Sequence, residues 1–182
     1  MSRGKLIFIT GGARSGKSNF AEKMAISLGK PVAYIATGQP LDKEMAHRIK
    51  KHKGRRPTDW ENYEEPIEVR ELVSRLGVKK EVILIDCLTL LVSNLLLRKE
   101  NKVGDPNWEE EILLEIKRLA KVSYKVPAQV IIVSNEVGMG LVPDNPLGRV
   151  YRDILGRANS IIANKADEVF MMVSGIPLKI KG

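Results

Sequence analysis

Residues 5–18 read KLIFITGGARSGKS. A short apolar run enters a glycine-rich turn, and the turn ends in lysine and serine. Residues 11–18, GGARSGKS, match the pattern G-x-x-x-x-G-K-[ST]. The pattern alone is a weak signal; its setting strengthens it. A strand is expected at 5–10 directly before it and a helix at 16–28 directly after. Gly11, Gly12 and Gly16 let the backbone turn tightly enough for successive N–H groups to point at phosphate oxygens. The helix adds the partial positive charge of its N-terminus. Gly11, Gly12, Ala13, Arg14, Ser15, Gly16, Lys17 and Ser18 are therefore read as a phosphate cradle. Lys17 is placed to reach the β- and γ-phosphates, and the Ser18 hydroxyl to ligate Mg²⁺.

Outward from the cradle, Val- and Ile-rich runs alternate with amphipathic stretches. Further strands are expected at 32–36 (VAYIA), 81–86 (EVILID), 128–135 (AQVIIVSN) and 167–173 (DEVFMMV). Further helices are expected at 42–53, 66–76, 88–99, 108–123 and 147–165. Asp42 and Asn107 are candidate N-caps, and Pro66 suits a first turn. Gly29, Gly54 and Gly77 sit where helices should stop. The alternation predicts an α/β, P-loop NTPase-like fold: a largely parallel sheet flanked by helices. The tail VSGIPLKIKG should turn at Gly175–Pro177 and return as an antiparallel edge strand. There is no repeat, low-complexity segment or linker, so residues 1–182 are expected to form one domain.

The run VILID (82–86) ends in a carboxylate. Beside a P-loop such an acid holds Mg²⁺ directly or through water; its other reading is an N-cap for the helix that follows. Residues 48–56, RIKKHKGRR, surround His52 with six basic residues. A neutral imidazole there could attack the α-phosphate of a bound nucleotide, expel pyrophosphate and carry the nucleotidyl group as a phosphoramidate. The flanking cations disfavour imidazolium, whereas the helix C-terminus and bound triphosphate favour it. Out of context, a histidine in a basic helix is a solvated one. His47 lies five residues earlier and projects roughly 140° away, so both cannot face one nucleotide. His47 is read as solvated.

The chain has 182 residues and a formal net charge of +8. That excess suits an anionic partner without saying which. No apolar run is long enough to span a bilayer, so no stable membrane insertion is expected. The N-terminal apolar stretch is too short for a secretory signal. The single cysteine, Cys87, excludes an internal disulfide. Together these features predict a cytoplasmic protein.

Four stretches carry a resemblance: ITGGARSGKSNFAE (9–22), YIATGQPLDKEMAHRIKKHKGRRPTDW (34–60), SNEVGMGLVP (134–143) and VSGIPLKIK (173–181). They resemble the bifunctional adenosylcobinamide kinase/adenosylcobinamide-phosphate guanylyltransferases from about residue 5 to residue 181. The patterns RIxxHKxxRP and NEVGMGxVP are specific to that family. The resemblance implies two reactions of cobalamin nucleotide-loop assembly. ATP or GTP phosphorylates the corrinoid alcohol; then GTP donates GMP through a histidine to the new phosphate, releasing pyrophosphate. It implies that His52 is that histidine and that Lys17 acts with it. It places nucleotide contacts on Gly11 through Ser18, on Ala36, Thr37 and Gly38, on Lys53, Gly54, Arg55 and Arg56, and on Glu64 and Asp86. Ser18 and Asp86 become the metal-side residues, and a homotrimer is implied. Lys51 stands where some members have a second histidine, and Asp86 where some have glutamate.

A corrinoid is large and amphipathic and needs an open, partly apolar surface. The loop NEVGMGLVP (135–143) could supply it, or could be an ordinary packing turn. Trp60 and Tyr63 are read as core anchors. Two other readings of the chain stand beside this one. A plain P-loop small-molecule kinase would leave His52 idle. A nucleic-acid-binding ATPase would use the basic run on phosphates, but it lacks an aromatic-interleaved surface, and no nucleic-acid partner is expected.

Overall fold

Every β-run of the sequence becomes a strand of one seven-stranded sheet in the computed structural model, which describes residues 3–40, 57–102 and 105–182 together with Lys43, His47 and Gly54. The strands are β1 (Leu6–Gly11), β2 (Val32–Ala36), β3 (Glu61–Glu64), β4 (Val82–Asp86), β5 (Gln129–Val133), β6 (Glu168–Val173) and β7 (Ile176–Lys181). The helices are α1 (Lys17–Leu28), α2 (Val69–Leu76), α3 (Leu88–Leu97), α4 (Pro106–Lys125) and α5 (Pro146–Lys165). The sheet order is β3-β2-β4-β5-β1-β6-β7, parallel throughout except for the β6–β7 pair.

The central strands are buried on both faces, which is why they read as continuous apolar runs. Alternate residues then serve two cores. Leu6, Phe8, Ile35, Ile83, Ile85, Val130 and Ile132 pack with residues of α2, α3, α4 and α5. Ile7, Ile9, Tyr34, Leu84, Ile131 and Val133 face the other way and pack with Ala21 and Ala25 of α1. Full burial of one such aliphatic side chain stabilises by about 1.5–3 kcal/mol, so a register slip that exchanged the two faces would be costly.

Three local expectations change. The N-cap of α4 is Asp105, whose side chain accepts from Asn107 N (2.9 Å); Pro106 takes the first helical position, which puts the start two residues before the expected residue 108. Pro66 lies in a bend, and α2 begins at Val69; Glu65 Oε1 accepts from Ile67 N and Glu68 N (3.1 and 2.8 Å) and holds the turn. Strand β3 was not expected: of its residues, ENYE, only Tyr63 is half-buried, so no apolar alternation marks it. The expected helix 42–53 with its Asp42 cap lies outside the described residues, except that Lys43 and His47 are helical and exposed. The tail turns and returns antiparallel as expected, although Pro177 already belongs to β7. No helix among the described residues is long and apolar enough to cross a membrane.

Candidate active site

The site forms where the carboxyl ends of the parallel strands meet the turn after β1. The register places Glu64, Ala36, Asp86, Val133 and Ile9 in one row across five adjacent strands. The cradle begins two residues beyond Ile9. Sequence-distant Glu64, Ala36 and Asp86 are thus brought to the same sheet edge as Gly11–Ser18.

The turn has the backbone that the glycines predicted. Gly11 has φ +144° and Gly16 φ +92°. A Cβ on Gly11 would meet Met172 O at 2.5 Å, so backbone conformation and space both demand glycine there. Arg14 also takes a left-handed φ, +57°. Gly12, Ala13 and Arg14 are exposed, whereas Ser15 is buried. Gly16 is the N-cap of α1 and offers no side-chain bond to the helix; the first turn carries no acidic residue. The first N–H groups of α1 are therefore left for an anion.

Lys17 folds back over this turn. Its Nζ donates to Gly12 O (2.6 Å) and lies 3.4 Å from Ser15 Oγ. Burial lowers its pKa below the usual lysine value, while the Asp86 charge pulls it back up. A phosphate arriving here would meet a cation whose water shell is already largely removed. Ser18 is half-buried in the first turn of α1.

Asp86 does not cap α3; that place falls to Cys87, which makes no side-chain cap bond. The Asp86 carboxylate instead accepts from the Tyr34 hydroxyl at 2.6 Å. Burial, with the Asp86 charge second, pushes the Cys87 thiol up to about 12, which keeps it protonated. Thr37 is fully buried and braced: its N donates to Asp86 O, its hydroxyl bonds both Cys87 N and Cys87 O, and its carbonyl accepts from Asn94. Ala36 is buried, Gly38 half-buried, and Glu64 exposed at the end of β3. Gly54 is an exposed turn residue; His52, Lys53, Arg55 and Arg56 lie outside the described residues. His47 is exposed, in keeping with a solvated histidine. Trp60 is buried and stacks on Tyr34, as a core anchor does; Tyr63 is half-buried and its hydroxyl donates to Glu61.

The loop after β5 packs against the core at Val137 and leaves its later apolar side chains exposed. Met139 is 79% exposed, Leu141 95% and Val142 61%. Its root is tied to the cradle by Glu136 N donating to Gly11 O at 2.9 Å. Beneath it a buried polar cluster joins three elements: Ser134 Oγ donates to Asn159 Oδ1 (2.7 Å), Asn159 Nδ2 to Asn135 O, and Asn135 N to Thr89 Oγ1.

A model of the family described as cobinamide kinase/cobinamide phosphate guanyltransferase, CobU, matches residues 7–180. The chain belongs to that family. The bifunctional adenosylcobalamin biosynthesis protein CobU of Escherichia coli strain K12 is 44% identical over 181 residues, covering 97% of this chain and 99% of the relative. The bifunctional protein CobP of Pseudomonas aeruginosa is 41% identical over 174 residues, covering 96% of each. The flagellar accessory protein FlaH of Methanocaldococcus jannaschii superposes with a TM-score of 0.51 at 16% identity, covering 100% of this chain and 80% of that one. At that identity it shows the fold alone, which is P-loop NTPase-like. The Tyr34–Asp86 pair, by contrast, was missed from sequence. The one signal for it was a phenol in a strand otherwise built from Val, Ile and Ala.

The CobU family's nucleotides raise the question of Mg²⁺. Among the described residues no three His, Cys, Asp or Glu side chains gather into a cation site. One hydroxyl, Ser18, and one carboxylate, Asp86, remain. That donor set fits Mg²⁺, which keeps several waters and takes phosphate oxygens as its other ligands.

Proposed function

We propose that this chain uses a single triphosphate cradle for the two transfers of its family, phosphorylation of adenosylcobinamide and then guanylylation of the phosphate, with His52 carrying GMP between them. Family membership gives the activities: cobinamide kinase and cobinamide phosphate guanylyltransferase, in cobalamin biosynthesis. The observation that carries the single-cradle reading is Lys17, buried over a turn whose helix N-terminus is uncapped, on the same sheet edge as Asp86.

In the first transfer the corrinoid alcohol oxygen attacks the γ-phosphorus of ATP or GTP. The bond to the β-phosphate oxygen breaks, the nucleoside diphosphate leaves, and the alcohol gives up its proton. Backbone N–H groups of residues 11–18 and the Lys17 ammonium hold the phosphates in line. Ser18 and Asp86 would hold Mg²⁺, which supplies charge neutralisation on the phosphates. In the second transfer the neutral His52 ring attacks the α-phosphorus of GTP and pyrophosphate leaves. The phosphate of adenosylcobinamide phosphate then displaces the imidazole, giving adenosylcobinamide-GDP. Lys53, Arg55 and Arg56 are placed by sequence to stabilise the departing pyrophosphate, and Ala36, Thr37, Gly38, Gly54 and Glu64 to border the nucleotide. The bulk of Thr37 would contribute through shape, since its polar groups are engaged within the fold.

The corrinoid is received on the exposed loop carrying Met139, Leu141 and Val142. Its apolar side chains suit the methyl-rich edge of the macrocycle, and its tie to Gly11 sets it beside the cradle. Residues 1–182 act as one domain, in the cytoplasm, as a homotrimer; sedimentation at three times 20.3 kDa tests the last point.

The deciding experiment uses GTP labelled on the α-phosphate. After denaturation, label should remain on the protein, lost in acid and kept in base. His52→Ala should abolish it and His47→Ala should spare it. A wild-type protein that never takes up label with Mg²⁺ present removes the histidine carrier and leaves direct transfer of GMP from GTP to the corrinoid phosphate. Phosphoryl transfer from ATP or GTP to adenosylcobinamide tests the other half.

A further inference from the structure

The core aromatic Tyr34 touches the one carboxylate assigned to the metal side of the cradle. It stands in the middle of β2, 1% exposed, on the α1 face of the sheet with Leu84 and Ile131. Its neighbours in the strand are Val32, Ala33, Ile35 and Ala36. An aliphatic residue or phenylalanine would fill such a place without bringing a polar atom into the core. A phenol there must find a hydrogen-bond partner. Tyr34 pairs in register with Leu84, and Asp86 lies two residues further along β4 on the same face. The ring therefore leans toward the carboxyl edge, and its hydroxyl donates to Asp86 Oδ2 at 2.6 Å. Trp60 stacks against the same ring, centroids 6.1 Å apart and planes 30° apart, which limits its movement.

Two things follow for Asp86. One carboxylate oxygen is fixed, and the other makes no hydrogen bond among the described residues. Lys17 is close enough to feel the Asp86 charge, yet no ion pair joins them among the described residues; Lys17 turns to Gly12 O and Ser15 Oγ instead. A carboxylate free to rotate would swing toward that ammonium and occupy both groups that have to meet the nucleotide. We propose that Tyr34 is a positioning residue: its hydroxyl holds the Asp86 carboxylate off Lys17 and presents it to the cation that accompanies the triphosphate. Outer partners of this kind typically set metal affinity by 10–100-fold. The inference rests on the metal-side reading of Asp86.

The test measures Mn²⁺ binding directly, by the electron paramagnetic resonance of free Mn²⁺ titrated with full-length protein and a non-hydrolysable GTP analogue. Tyr34→Phe keeps the ring and removes the hydroxyl. Mn²⁺ affinity should fall about tenfold, and the rise in Tm caused by Mn²⁺ and analogue together should shrink relative to that variant's own metal-free melt. Asp86→Asn should weaken Mn²⁺ at least as much. Adding Tyr34→Phe to Asp86→Asn should then change Mn²⁺ affinity no further, although a purely structural tyrosine would lower it again. That double variant also removes the half-buried charge left without its phenol, and so it is readable where Tyr34→Phe alone folds poorly. Unchanged Mn²⁺ affinity in Asp86→Asn overturns the metal-side reading itself. A weakened Asp86→Asn beside a wild-type-like Tyr34→Phe overturns the role of Tyr34 alone.

Discussion

Lys17 is a cation kept partly out of water before any phosphate arrives, and its pKa is lowered chiefly by that burial. Lysine in the unfolded chain binds its proton more tightly than Lys17 does in the fold. The charged form therefore opposes folding at neutral pH, and stability should rise as pH climbs through the lowered folded pKa toward the ordinary lysine value. Lys17→Met should raise the Tm of the nucleotide-free protein by about 2–4 °C, the shift that roughly 1 kcal/mol gives in a chain of this size. It should also abolish the further rise that GTP with Mg²⁺ gives the wild type. A variant that melts lower and still responds to GTP would contradict this account. Gly11→Ala acts in the opposite sense, because a left-handed φ and a 2.5 Å approach to Met172 O both resist a side chain; urea titration should show a loss of about 1–3 kcal/mol. At this scale the cradle was legible because the motif states backbone requirements directly. Tyr34 was not, because its role depends on a partner 52 residues away in sequence.

The β6–β7 hairpin reaches the cradle as an element. Its two-residue turn is Ser174 (φ +51°) and Gly175 (φ +86°), and Gly175 N donates to Ser15 O at 3.1 Å. Two positive φ values in succession favour Asn-Gly over Ser-Gly. Ser174→Asn should therefore raise the urea midpoint slightly. Gly175→Ala meets no steric obstacle but must hold a left-handed φ, at about 1–2 kcal/mol; since it strains the strut on Ser15, GTP should also bind a few-fold more weakly by calorimetry. If stability fell and GTP affinity did not, the hairpin would be a bystander to the cradle. The hairpin was legible in VSGIPLKIKG because glycine marks its turn, and the parallel strands were legible because burial on both faces leaves unbroken apolar runs. Strand β3 had neither mark. It exists because Ala33–Ala36 of β2 leave an edge that ENYE can pair with through backbone alone. The ends of α2 and α4 were misread by two or three residues because the deciding groups, Glu65 and Asp105, are side chains that hold a turn rather than members of the helical pattern.

Across the whole molecule, the start of the chain is pinned to its last quarter by charge. Arg3 pairs with Asp167 at 2.7 Å, and Lys5 with Glu168 at 2.6 Å. Asp167 Oδ2 also accepts from Leu6 N at 2.8 Å, so one carboxylate fixes both the arm before β1 and the first backbone bond of the strand that leads into the cradle. The hydrogen bond from Arg3 holds the Asp167 carboxyl below the usual carboxylate range; that from Lys5, helped by Lys179, does the same for Glu168. Both groups bind protons more weakly folded than unfolded. Their stabilisation is complete above the unfolded values, about 3.9 for Asp and 4.3 for Glu, and disappears as pH falls through the lower folded values. Wild type should therefore lose urea stability steeply below pH 4. The double variant Asp167→Asn, Glu168→Gln should start lower at pH 7 and lose less between pH 5 and pH 2.5, so that the two curves converge in acid. Parallel curves would mean that these pairs are solvated surface contacts and that the β1–β6 ladder alone closes the sheet around the cradle.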